Sequence, residues 1–89
     1  MSKKMYTVSE NICGDRVRIG RALHKPPLTQ EELANKLNLA GHDFTPIIIS
    51  RIEQRKRHVV DAELKALAGA LGVTMEWLTS EDDDAKAEK

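Results

Sequence analysis

The sequence predicts an all-α fold, one domain of roughly four to five short helices. Three observations lead there. Two helix-start signatures, Thr29 with Glu32 and Thr45 with Pro46, stand ahead of apolar runs. Leu64, Leu67, Ala68 and Leu71 recur at helical spacing. No stretch shows the apolar-polar alternation of a strand, an internal repeat or a glycine-rich phosphate loop. With 89 residues, 40% of them hydrophobic and 31% charged, the chain can bury a modest core without disulfides or metal.

Residues 1–10 show no period and read as a flexible lead-in. The first helix is expected over 11–24, with Ile12, Val17, Ala22 and Leu23 as its apolar positions; Gly14 and Gly20 lower its propensity, and Pro26 and Pro27 end it. The second, 30–37, has the strongest start: Thr29 and Glu32 form a capping box worth ~1 kcal/mol, and Leu28 and Leu33 occupy the staple positions on either side. Residues 38–43 read as a connection, with Asn38 suited to a helix end and Gly41 to left-handed backbone. The third helix, 46–54, has Thr45 as cap, Pro46 in the first position and Phe44 and Ile49 as a second staple. Asp61 is expected to cap a fourth helix that Gly72 closes, and Thr74 a short fifth one in which Met75, Trp77 and Leu78 close the core. The domain is thus expected over 11–79, followed by an acidic, apolar-poor tail, 80–89, expected to be disordered.

Formal charge is zero, but unevenly spread. The last ten residues hold five acids against two lysines, whereas Arg51, Arg55, Lys56 and Arg57 crowd into one segment relieved only by Glu53. The tail is expected to compete mildly with any polyanion for that segment. Cys13 is the only cysteine, which excludes an internal disulfide and a thiolate zinc cage and agrees with a reducing cytosol. No cofactor or metal site is expected. No apolar run approaches the ~18 residues of a membrane span, and the opening residues lack a secretion signal, so a cytoplasmic protein without a membrane partner is expected. Asp61 with Glu63, and Asp82 to Asp84, read as helix-start and solvated charges rather than catalytic carboxylates, so no enzyme is expected.

At about 100° per residue, Ile49 and Ile52 point to the core, while Ile47, Ser50, Arg51 and Gln54 cluster on the other side and Ile48 lies at the margin. That outward set suits major-groove reading. Arg51 can donate two hydrogen bonds to guanine, Gln54 can bridge adenine, Ser50 can reach a base or phosphate, and Ile47 can pack on a thymine methyl. Arg55, Lys56 and Arg57 follow where phosphates would lie.

At Thr29-Gln30-Glu31-Glu32-Leu33-Ala34 and Ile49-Ser50-Arg51-Ile52-Glu53, followed by Arg55-Lys56-Arg57, the chain resembles the phage-repressor and Cro-like (XRE-type) helix-turn-helix family. Asp61-Ala62-Glu63-Leu64 and the run from Ala70 to Leu78 continue the likeness, which covers about 12–78. The resemblance implies a compact, lambda-repressor-like five-helix bundle whose second and third helices form a DNA-reading pair. It implies base contacts for Gln30, Pro46, Ile47, Ser50 and Arg51, and phosphate contact for Thr29; Thr45 joins the phosphate candidates. It also implies an ion pair, Arg21 with Glu53, joining the first helix to the third. Two departures stand out: the 39–43 link is longer than the usual tight turn, and Pro46 and Ile47 replace polar residues at the tip of the reading helix.

The leading expectation is therefore a sequence-specific transcriptional regulator on double-stranded DNA, acting as a symmetric homodimer through the fifth helix, with Trp77 and Leu78 as contacts. The alternative is a protein-interaction module that uses Ile47 and Ile48 as an apolar anchor. Salt-dependent affinity for duplex DNA separates the two.

Overall fold

Local signals place the helices, and two glycines set how closely they pack. The computed structural model describes residues 11–80. The expected lead-in over 1–10 and the acidic tail beyond Ser80 lie outside the described residues. Among the described residues there are five helices and no strand: α1 (Gly14–Ala22), α2 (Gln30–Leu39), α3 (Pro46–Glu53), α4 (Asp61–Leu71) and α5 (Met75–Thr79).

The capping box of α2 is complete. Thr29 Oγ1 accepts the Glu32 amide at 3.0 Å, and Glu32 Oε1 accepts the Thr29 amide at 2.9 Å. The helix runs two residues past the expected end, to Leu39. Asn38 then holds the link from inside the last turn: its amide donates to the Phe44 carbonyl at 3.0 Å and its Oδ1 accepts the Phe44 amide at 2.8 Å. Gly41, at φ 97, makes the turn between, where a side chain would be strained. Phe44 is thereby returned to the core, 4% exposed.

α1 is shorter than expected. Asn11 Oδ1 accepts the Cys13 amide at 3.0 Å, which shapes the chain before the helix instead of leaving it helical. Its packed face is also different: Ala22 and Leu23 are exposed, while Gly14, Val17 and Gly20 are buried. A Cβ on Gly14 would lie 2.5 Å from the Ile52 carbonyl oxygen, and one on Gly20 would lie 3.2 Å from a Leu71 methyl. The residues that weaken α1 as an isolated helix are those that let it approach α3 and α4.

α4 begins one residue earlier in its capping than expected. Val60, not Asp61, is the N-cap, and Glu63 reaches back to accept the Val60 amide at 3.2 Å. Asp61 instead sits in the first turn, where its charge favours the positive end of the helix dipole. Gly72, at φ 74, closes the helix. Thr74 Oγ1 accepts the Trp77 amide at 2.9 Å and starts α5.

All five helices turn apolar faces inward. Val17, Leu33, Leu37, Ile49, Ile52, Leu67 and Leu78 are fully buried, each contributing about 1.5–3 kcal/mol of transfer free energy before entropy is counted. Among the described residues no helix is long and apolar enough to cross a membrane.

Candidate nucleic-acid interface

α3 is short, and everything that holds it acts on one side. Thr45 Oγ1 accepts the Ile48 amide at 3.1 Å, and Pro46 fills the first position, where its missing amide has no cost. Ile49 and Ile52 are fully buried and Ile48 is half-buried against the core. Glu53 anchors the far end. Arg21 grips its carboxylate with a two-pronged fork, Nε to Oε2 at 2.6 Å and Nη2 to Oε1 at 2.9 Å, and Arg21 Nη1 donates to the Leu28 carbonyl at 2.8 Å. Gln30 adds a third donor to Glu53 Oε1 at 3.1 Å. The link from α1 through Arg21 to Glu53 therefore also takes in Gln30, whose amide faces α3.

The opposite side faces out. Ile47 is 64% exposed, Pro46, Arg51 and Gln54 are exposed and Ser50 is half-buried. Gln54 lies one residue beyond the helix as its C-cap. Its Nε2 donates to Ser50 Oγ at 2.8 Å, so the two polar side chains are ordered as a pair before any ligand arrives. That leaves the glutamine carbonyl as an acceptor and the serine hydroxyl as a donor.

The basic stretch divides into three different situations. Arg55, two residues past the end of α3, lies in left-handed backbone, φ 62, and its Nη2 is 3.4 Å from Asp15 Oδ2. Lys56 is exposed, with no ion-pair partner among the described residues. Arg57 forks onto Glu63, at 3.0 and 2.9 Å, and its guanidinium lies 5.9 Å from the centre of the Phe44 ring. The hydrogen bonds from Arg57 hold the Glu63 carboxyl below its ordinary range, and those to Glu63 push the Arg57 guanidinium up. Arg57 thus ties the loop after α3 to the start of α4. Thr29 and Thr45, already accepting cap bonds, sit exposed with hydroxyl protons available to an anion.

One residue with no sequence signal supports this surface. Asn11, 1% exposed, donates to the Ile52 carbonyl at 2.8 Å and to the Arg57 carbonyl at 3.0 Å. It joins the last turn of α3 to the basic stretch from the position expected to open the first helix, 41 and 46 residues away in sequence. Arg16 is likewise buried, 3% exposed, bonding the Trp77 carbonyl at 3.2 Å with its guanidinium 4.9 Å from the centre of the Trp77 ring. Position in a helix rich in arginine gave no hint that this one faces inward.

The expected dimer contacts need correction. Leu78 is fully buried in the monomer and cannot meet a second copy; it closes the core beneath Trp77, which is half-buried under Arg16. Comparison with protein-family models, with curated proteins and with solved structures gives no match.

Proposed function

We propose that this protein reads double-stranded DNA in a sequence-specific manner, as a transcriptional regulator of the phage-repressor and Cro-like helix-turn-helix kind, with α2 and α3 as the motif and α3 in the major groove. The observation that carries the reading is the two-sided character of α3. Its inner face is fixed by Ile49, Ile52 and the Arg21–Glu53–Gln30 cluster, and its outer face presents Ile47, Arg51 and the ordered Ser50–Gln54 pair. A rigid inner face matters because a reading helix must hold its side chains in register with base edges. Arg51 offers a bidentate fork to guanine, Ile47 a surface for a thymine methyl, and the Ser50–Gln54 pair a donor and an acceptor. Lys56, Arg55 and the Thr29 and Thr45 hydroxyls would meet phosphates; Arg57 is committed to Glu63 and contributes through loop geometry. The reading needs neither catalysis nor a cofactor.

One module of this size buries too little surface for tight specific binding, so the regulator acts as a dimer on two half-sites. With Leu78 inside, the contact on α5 rests on Met75, 38% exposed, and the open edge of Trp77.

Selection of bound fragments from random duplex DNA tests the proposal. A defined sequence should emerge, and Arg51→Ala should lower affinity for it by about 1–3 kcal/mol while changing base preference at one position. Lys56→Ala should weaken all duplexes alike and reduce the salt slope by about one. No enriched sequence, together with no binding even at low salt, would sink the reading. The exposed Ile47 favours a second one, in which Ile47 and Ile48 anchor a protein partner. It would be preferred if Arg51→Ala combined with Arg55→Ala left DNA affinity unchanged.

A further inference from the structure

We propose that the groove between the C-terminal half of α2 and the outer face of α4 is a docking site for an acidic amphipathic helix of a partner protein. The groove encloses about 690 Å³. Its floor is α4, where Ala62, Ala66, Gly69 and Ala70 fall on one helical face. A Cβ built on Gly69 meets nothing within 4 Å, so the backbone lies open and a second helix can approach closely, interaxial distance being set by the side chains between. Leu39, 90% exposed at the end of α2, forms an apolar wall that nothing among the described residues covers.

Charge selects the occupant. Lys36 and Lys65 stand at the groove with His42, and among the described residues lining it there is no carboxylate. The ion pairs among the described residues employ arginine, leaving neither lysine with an acidic partner. An apolar floor between unpaired cations matches a helix that carries leucine-like side chains on one stripe and glutamate or aspartate along its edges. None of the lining residues belongs to α3, so the groove is a second surface whose occupancy does not depend on the DNA reading.

The test uses the full chain, labelled with nitrogen-15, and a synthetic helical peptide with leucines at i, i+4 and i+7 flanked by glutamates. Saturable shifts are expected at Lys36, Leu39, Lys65 and Gly69. Twin peptides with lysine for glutamate, or serine for leucine, should bind at least tenfold more weakly. Lys36→Glu with Lys65→Glu should reverse the preference to the lysine twin, and the exposed Ala62→Arg should block binding while shifts elsewhere in the spectrum stay in place. Absence of saturable shifts, or equal affinity for the two charge twins, would overturn the proposal. So would the same shifts on concentrating the protein alone, which would assign the groove to a second copy, or saturation by decanoate with no peptide binding, which would assign it to a small lipid-like acid.

Discussion

Glu53 is the residue on which α1, α2 and α3 converge, and it is 8% exposed. Its carboxylate takes donors from Arg21 and Gln30, so removing Arg21 leaves a buried anion with one amide for company. Arg21→Ala is expected to cost about 3 kcal/mol, whereas Arg21→Met combined with Glu53→Leu should cost clearly less than the two single changes together, because neither charge is then stranded. Denaturant midpoints measure both. The glycines supply a second contrast. Gly14→Ala drives a methyl against the Ile52 carbonyl and should destabilise by about 1–3 kcal/mol; Gly69→Ala places its methyl in open space and should stabilise by about 0.5–1 kcal/mol through helix propensity alone. In the sequence the two glycines look alike, since what distinguishes them is the neighbour that approaches each one. Pairing of Arg21 with Glu53 was legible only through the family likeness, and the recruitment of Gln30 to that pair was not, because its position at a helix start reads equally well as outward-facing.

At the scale of elements, helix starts were legible where a polar side chain makes the cap. Thr29, Thr45 and Thr74 all accept the expected amide bond. Reading failed where the cap is made from a distance. Val60 has no polar atom to offer, so the neighbouring aspartate drew the assignment, while Glu63 makes the bond by folding back. That same Glu63 links α4 to the loop after α3 through Arg57, and its lowered pKa carries a pH dependence. The folded value lies below the ordinary one, so the stabilisation is complete above the ordinary glutamate pKa and is lost as pH falls through the folded value. Glu63→Gln should therefore lower stability at neutral pH and flatten its decline between about pH 5 and pH 3. Chemical denaturation across that range gives the slope; an unchanged slope would show that the fork adds nothing.

For the molecule as a whole, the all-helical class, the helix order and the inward and outward sides of α3 were readable, because they follow from periodicity and local chemistry. The groove on α4 was not, since alanines at helical spacing look the same whether a neighbour covers them or not. The choice for Leu78 between closing the core and meeting a second copy, and the inward turn of Arg16, were equally hidden: both depend on where α5 lands against α1. The Asn11 amide has the widest reach. Asn11→Ala leaves the carbonyls of Ile52 and Arg57 without that donor and should cost about 1–3 kcal/mol, visible as a lower melting temperature. Anyone trimming the chain to its first helix, as secondary-structure boundaries invite, would discard the clasp that keeps the far end of α3 and the basic stretch in step. Any unit that is to hold that surface in shape must reach back at least to Asn11, three residues ahead of Gly14, and a version shortened past it could fold, pass for intact by its helical content, and still present its arginines out of place.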